Sequence, residues 1–78
     1  MKAEDTLDFV ARQLVDNPDD VRIEVVEEDR QTLLNLFVHD DDLGKVIGKH
    51  GRTAKALRTL IKAAGSLEDR NVTVEIVD

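Results

Sequence analysis

Hydrophobic residues recur along this chain at two spacings, one typical of helices and the other of strands. Over residues 7–15 and again over 57–64, apolar residues fall at i, i+3, i+4 and i+7, which predicts two amphipathic helices. Apolar residues that alternate with polar ones predict strands over residues 21–25, 34–38 and 72–76. A second short helix is predicted between the middle strand and the last long helix.

Turn-forming and capping residues set the predicted bounds of these elements. Asp5 or Thr6 can cap the first helix, which ends at residues 17–18 because the residue before a proline avoids the helical conformation. The polar residues 28–31 join the first two strands as a hairpin. Gly65 is predicted to end the last helix as a helix-stop glycine.

The predicted order is α-β-β-α-α-β, which indicates an α+β fold. The last two strands are joined through two helices, so the crossover rule makes them parallel, whereas the hairpin strands are antiparallel. The result is a three-stranded mixed sheet with its helices on one face. Leu33 and Phe37 are apolar on the other face of the middle strand, which favours a central strand with some cover on that side.

Length and composition indicate one small domain over residues 1–78. The first helix and hairpin occupy residues 5–39, the two later helices 41–65 and the last strand 71–77. The chain has no cysteine, which fits a reducing compartment, and no signal peptide or membrane span is recognisable. A cytoplasmic location without membrane association is therefore predicted, and no cofactor is expected.

Residues 43–67 form a basic segment in an acidic chain. The segment contains none of the 17 acidic residues, whereas the whole chain has a net charge of −6. A local basic element predicts a site for a polyanion, and the overall negative charge argues against indiscriminate nucleic-acid binding. The basic residues of the segment are Lys45, Lys49, Arg52, Lys55, Arg58 and Lys62.

At the centre of this segment, Gly48 and Gly51 bracket a basic pair. Glycine has no Cβ, so it allows a tight turn and the close approach of another molecule to the backbone. A helix that begins at Arg52 also directs its unpaired N–H groups and the positive end of its dipole towards the turn. A phosphate group fits such a position.

Two other groups of polar residues allow alternatives. The acidic run Asp40–Asp42 can cap the short helix or hold a cation, and capping is favoured because the spacing of a calcium loop is missing. His50 could act in acid–base catalysis, but the local sequence supplies no carboxylate to orient it. Phosphate contact is the favoured role of His50, and no enzymatic activity is predicted.

The run VIGKHGR at residues 46–52, placed between two helices, resembles the signature of the KH domain, whose GxxG loop clamps four nucleotides. The element order resembles the type II, or prokaryotic, arrangement. With LVDNPDDV at 14–21 and VTVEIVD at 72–78, the chain is similar to the KhpA family of small bacterial KH proteins. The resemblance implies single-stranded RNA binding, self-association and pairing with a KhpB (Jag)-like protein. It also implies a part in RNA regulation or RNA chaperoning linked to cell elongation and envelope homeostasis.

The predicted RNA site is built around the glycine turn. Its glycines would admit the RNA backbone, and its basic side chains would contact phosphates. Aliphatic side chains would form the floor of a groove for unstacked bases, because the chain has two aromatic residues and no stacking platform. The predicted site residues are Lys45, Val46, Ile47, Gly48, Lys49, His50, Gly51, Arg52 and Lys55, with Leu43 and Leu36 as further candidates for the floor. Val46 and Ile47 have the alternative of being core residues.

A homodimer is also expected, through one of two surfaces. Ala56 and Ala63 would let a second copy approach the last helix closely, and the sheet face with Leu33 and Phe37 is the competing surface. The alternative function is a protein-interaction adaptor whose fold serves mainly in dimerisation.

Overall fold

The computed structural model describes residues 1–78 and has the predicted order of helices and strands. Three helices and three strands make up the regular structure: α1 Ala3–Leu14, β1 Arg22–Glu27, β2 Thr32–Phe37, α2 Leu43–Ile47, α3 Arg52–Ser66 and β3 Val72–Ile76. Single 3₁₀ turns lie at Pro18–Asp20, Asp40–Asp42 and Lys49–Gly51.

The three strands form one mixed sheet in the order β1-β2-β3, which confirms the predicted α+β topology. The pair β1–β2 is antiparallel and places Arg22 opposite Phe37, whereas β2–β3 is parallel and places Thr32 beside Val72. Because β2 is central, β3 and β1 each have one edge without a neighbouring strand. The connection from β2 to β3 contains α2, the glycine turn and α3.

The core lies between one face of this sheet and the helices. The strands contribute Leu34 and Leu36 from β2 together with Val72 and Val74 from β3. The helices contribute Ala3, Leu7, Ala11, Val46, Leu57 and Ile61. On the other face of the sheet, Phe37 is half-buried, and the guanidinium carbon of Arg22 lies 4.2 Å from the centre of its ring. This cation–π contact supplies part of the cover expected on that face.

Helix α1 begins earlier than the capping pattern predicted. Its first residue is Ala3, which is fully buried, and Lys2 occupies the N-cap position. Asp5 lies inside the first turn, where its carboxylate accepts a hydrogen bond from the backbone N–H of Lys2 at 3.2 Å. The prediction that Asp5 or Thr6 caps this helix is therefore wrong, because packing of Ala3 in the core extends the helix by a turn.

Three apolar residues of the predicted stripes are exposed, and one of them is Leu14, at 37%. Val25 is 44% exposed although it pairs with the buried Leu34, because it lies on an edge strand. Leu60 is also 44% exposed. The buried face of α3 is instead formed by Ala54, Leu57, Ile61 and Gly65. This face is rotated away from Leu60, which leaves an apolar side chain on the outer surface of α3. No helix of the structure is long and apolar enough to cross a membrane.

Gly65 does not end α3 in the way that the sequence predicted. It is buried within the helix, and a Cβ built on it would lie 2.6 Å from Cγ2 and 2.9 Å from Cβ of Val72. The helix continues to Ser66, and the positive φ of 58° in the following loop belongs to Asp69. Gly65 is thus required for the close approach of α3 to β3.

We expect Gly65→Ala to lower the free energy of unfolding by about 1–3 kcal/mol, because the added methyl group overlaps Val72. Gly44→Ala is a matched control, since nothing lies within 4 Å of a Cβ at this position in α2. It should stabilise the domain by about 0.5–1 kcal/mol through helix propensity. Urea unfolding followed by circular dichroism measures both, and a neutral Gly65→Ala would contradict the packing argument.

Candidate nucleic-acid interface

The glycine turn between α2 and α3 has an unusual backbone. Gly48 has φ 78° and ψ 170°, His50 has φ 59° and ψ 24°, and Gly51 has φ 73° and ψ 15°. The N–H of Gly51 donates to the carbonyl of Gly48 at 3.1 Å, which closes the turn. Three positive φ values within four residues make a sharp reversal that leads directly into the N-terminus of α3.

The two glycines of this turn have different surroundings. A Cβ at Gly48 would overlap Oγ1 of Thr53 and would lie 2.7 Å from Cβ and 2.8 Å from the backbone N of Thr53. A Cβ at Gly51 would have no neighbour within 4 Å. Gly48 is therefore required by the protein's own packing. Gly51 leaves open space above the first turn of α3, which is where a ligand could reach the backbone.

Lys49, His50, Arg52 and Lys55 surround that open space with exposed side chains. None of these residues takes part in any ion pair of the structure, although the chain as a whole is acidic. Positive side chains without an internal partner, next to the positive end of the α3 dipole, favour an anionic ligand at the turn.

Lys45 has a different environment from the other predicted basic residues. Its Nζ lies 3.2 Å from Oδ2 of Asp16 and 3.8 Å from Oδ1 of Asp42. The hydrogen bond and the charge of Asp16 raise the pKa of Lys45, and the charge of Asp42 adds to this effect. The charge of Lys45 is thus compensated within the domain, so its predicted contact with RNA is the one least favoured by the geometry.

The structure also separates the aliphatic residues that were predicted to contact bases. Val46 and Leu36 are fully buried members of the core, so neither can form the floor of a groove without a rearrangement. For Val46 this agrees with the alternative interpretation as a core residue, and for Leu36 it corrects the expectation. Ile47 and Leu43 are half-buried on α2 and remain accessible to a base.

Asp42 is a structural residue that the sequence interpretation assigned incorrectly. Although it precedes α2, its carboxylate does not cap that helix. It accepts hydrogen bonds from the backbone N–H of Asp16 at 3.2 Å, the backbone N–H of Asn17 at 3.0 Å and the side-chain amide of Asn17 at 3.0 Å. Asp42 is 1% exposed, and these bonds fix the loop after α1 against the start of α2. No local pattern could have revealed partners that lie 25 and 26 residues away in sequence.

The neighbouring acidic residues show no cation site either. The backbone N–H of Asp41 donates to Nδ1 of His39 at 3.0 Å, so the histidine caps the 3₁₀ turn. No group of three or more histidine, cysteine or acidic residues is arranged so that it could hold a metal ion.

We expect the hydrogen bonds of Asp42 to make the free energy of unfolding depend on pH. Burial raises the pKa of Asp42, but the hydrogen bonds from Asn17 and Asp16, with the charge of Lys45, lower it below its ordinary range. A carboxyl group with a lowered pKa stabilises the folded state above the unfolded pKa of about 4, and it loses that contribution as the pH falls through the folded pKa.

Urea unfolding of wild type and Asp42→Asn between pH 7 and pH 2.5 tests this expectation. The variant should be less stable at pH 7, and its stability should change less on acidification. Glu4, whose pKa is lowered by its hydrogen bond from Arg70, acts in the same direction in both proteins. Asp16→Asn is the control, because its exposed carboxylate pairs only with Lys45. If Asp42→Asn and Asp16→Asn lost the same amount of stability at pH 7, a special role for Asp42 would be contradicted.

Comparison with known proteins connects this geometry with a family. The family model of the KhpA/KhpB KH domain matches residues 4–76. The chain belongs to the KhpA/KhpB family of KH domains. The match includes the whole helix–turn–helix segment, and the predicted type II KH fold is confirmed.

Curated relatives of this KH domain come from several bacteria. A protein of Bacillus subtilis is 49% identical over 96% of this chain and 93% of its own length. Proteins of Halalkalibacterium halodurans and Mycobacterium tuberculosis are each 47% identical, over 92% and 95% of this chain and 95% and 89% of their own lengths. All three are named RNA-binding protein KhpA. The family is thus one of KH-domain RNA-binding proteins and not of enzymes, as predicted.

Proposed function

We propose that this KH domain binds single-stranded RNA at the turn formed by residues 48–51. The observation that supports the proposal most directly is the open space above Gly51, bordered by exposed basic side chains in an otherwise acidic protein. The names of the bacterial relatives agree with this function.

In the proposed complex, the RNA backbone lies over Gly51. A phosphate there lies at the N-terminus of α3 and interacts with the positive end of its dipole. Lys49, His50 and Arg52 contact flanking phosphates, and such contacts position the strand without selecting its sequence. Ile47 and Leu43 offer aliphatic surface to unstacked bases, in place of the aromatic platforms of other RNA-binding folds.

Filter binding of random single-stranded RNA across a salt series tests the proposal. Affinity must fall as salt rises, because binding releases counterions from the phosphates. Lys49→Gln should lower the slope of log K against log salt by about 0.7, the value for one phosphate contact on a single strand. Arg30→Gln removes the same charge from the exposed hairpin tip and should leave the slope unchanged. Absence of RNA binding by the wild-type protein at low salt would overturn the proposal.

Self-association forms a second part of the proposed function. Ala56, Leu60 and Ala63 form an exposed apolar patch on α3, with Thr59 between them. Small side chains would let α3 of a second copy approach closely across a two-fold axis. The competing sheet surface is less open, since Arg22 lies over Phe37. The patch therefore favours a homodimer through α3, and it also supports the adaptor function as an alternative.

Sedimentation equilibrium at micromolar concentration distinguishes these possibilities. The wild-type protein should have the mass of a dimer, and Ala56→Glu should have the mass of a monomer. Gln13→Glu is the control, because it adds the same charge to the exposed surface of α1. A dimer that survives Ala56→Glu would place the interface on the sheet, and a monomeric wild-type protein would exclude the homodimer.

The cellular role is proposed from the family. A small bacterial KH protein of this kind would act in the cytoplasm as an RNA chaperone or post-transcriptional regulator. It would act together with a KhpB (Jag)-like partner, in processes linked to cell elongation and envelope homeostasis. Copurification of RNA and proteins from native cells tests this role, and recovery of neither would argue against it.

A further inference from the structure

Lys45 is the one basic residue of the segment 43–67 that forms ion pairs within the domain. Its side chain is 44% exposed and that of its partner Asp16 is 76% exposed, so water reaches both charged groups. An ion pair in such a position is weak, because water screens the attraction and two long side chains lose freedom when they meet. A phosphate near Lys45 therefore competes with Asp16 for the same ammonium group.

The buried carboxylate of Asp42 fixes the backbone of Asp16 beside α2. Asp42 accepts hydrogen bonds from the backbone N–H groups of Asp16 and Asn17 at 3.2 and 3.0 Å, and from the side-chain amide of Asn17 at 3.0 Å. Asp42 is thus well paired without Lys45, whose Nζ lies 3.8 Å from Oδ1, beyond the distance of a hydrogen bond. Asp16, at 3.2 Å, is the residue that holds the ammonium group of Lys45.

Lys45 lies close to the start of the glycine turn. Helix α2 ends at Ile47, and the N–H of Gly48 donates to the carbonyl of Gly44 at 2.9 Å, so the helical path leads directly into the turn. Lys45 and Gly48 are three residues apart, which places them on one face of the helix and about 4.5 Å apart along its axis. The flexible four-carbon stem of lysine can span such a distance. A released Lys45 can therefore reach a phosphate next to the one proposed over Gly51.

We infer that Asp16 restrains the RNA affinity of this domain by holding Lys45 away from the strand bound at the turn. Asp16 itself touches no RNA, so it is a positioning residue that acts through Lys45. The complex then has one phosphate contact fewer than the basic residues around the turn allow, and it is weaker and less dependent on salt. The inference rests on the proposed RNA binding at the turn. The competing explanation is that Asp16 only adds to the negative charge of the whole chain.

Fluorescence anisotropy with a labelled random single-stranded RNA, measured across a salt series, tests the inference. Asp16→Asn should raise the affinity about threefold at low salt and steepen the fall of log K with log salt by about 0.7, the value for one added phosphate contact. Asp19→Asn is the control, because it removes the same charge from an exposed residue of the next turn that forms no ion pair. It should leave the slope unchanged. Asp16→Glu retains the charge and should retain the wild-type slope.

Lys45→Gln supplies the decisive comparison, because its effect should depend on Asp16. In the wild-type background it should leave the salt slope unchanged, since Lys45 makes no contact with RNA there. In the Asp16→Asn background it should remove the whole gain in affinity and slope. This double variant has the same net charge as the wild-type protein, so the charge of the whole chain does not enter the comparison. Urea unfolding should give nearly equal stabilities for the wild-type protein and Asp16→Asn, because the ion pair is exposed.

NMR gives a direct measurement at Lys45. RNA should shift the Cε–Hε signal of Lys45 in Asp16→Asn and leave it in place in the wild-type protein. Equal gains from Asp16→Asn and Asp19→Asn, or a gain that persists in the double variant, would mean that only general repulsion was relieved and would overturn the inference. An Asp16→Asn variant that binds RNA no better than a binding-competent wild-type protein would also overturn it. Failure of the wild-type protein to bind RNA would overturn the proposed function itself, so the two failures can be told apart.

Discussion

Gly51→Asp is expected to abolish RNA binding while the fold is retained. The new side chain has room, since no atom lies within 4 Å of a Cβ at this position. Its backbone conformation, φ 73° and ψ 15°, lies in the left-handed region that Asp and Asn tolerate better than most residues. The carboxylate would stand where the RNA phosphate is proposed to lie. Like charges brought together at an interface cost several kcal/mol, which corresponds to a loss of affinity of about 100-fold or more.

Gly51→Asn is the matched control, because it has nearly the same shape without the charge. It should retain measurable RNA binding, and its circular dichroism spectrum and Tm should resemble those of Gly51→Asp. Fluorescence anisotropy with a labelled single-stranded RNA measures both affinities. If the Asp and Asn variants bound RNA equally well, the phosphate would not lie over Gly51.

Gly48→Ala is expected to reduce the free energy of unfolding by about 2–5 kcal/mol. Part of this loss, about 1–3 kcal/mol, arises because φ 78° with ψ 170° is a region essentially restricted to glycine. The remainder arises from overlap of the new methyl group with Thr53, including its backbone N at 2.8 Å. A domain of this size has a total stability of roughly 4–12 kcal/mol, so the variant would be close to unfolding.

Thr53→Ala distinguishes the two sources of strain at Gly48. Thr53→Ala removes Oγ1 of Thr53 from the overlap but leaves the contact with the backbone N. The double variant Gly48→Ala with Thr53→Ala should therefore recover only a small part of the stability that Gly48→Ala loses. Full recovery would mean that backbone conformation at Gly48 matters little. Substituting Asp at both glycines would combine unfolding with charge repulsion, so the single variant at Gly51 is the sharper probe of binding.

Local patterns in the sequence were sufficient to predict the elements and their topology. The 3.6-residue periodicity located α1 and α3, alternation located the strands, and the two-helix connection gave the parallel pairing of β2 with β3. The glycine turn was also located correctly between two helices. These features depend on residues that are close together in sequence, or on general rules of chain handedness.

Features that depend on tertiary contacts were not predictable in this way. Gly65 looked like a helix stop because its close contact with Val72 exists only when α3 packs on β3. Asp42 looked like a helix cap because its hydrogen-bond donors belong to the loop after α1. Likewise, Val46 and Ile47 are adjacent in sequence, and only the rotation of α2 on the core decides which one is buried.

The parallel pairing of β2 with β3 has a consequence for folding kinetics. The β1–β2 hairpin closes a loop of residues 28–31, whereas β3 can pair only after residues 38–71 have been brought into place. The longer loop is about three doublings of the shorter one, which adds about 2 kcal/mol of closure entropy. The hairpin should therefore form early and β3 should dock late. Until then, β2 has an unpaired edge with Leu34 and Leu36 exposed, so slow docking of α3 and β3 would favour aggregation over refolding.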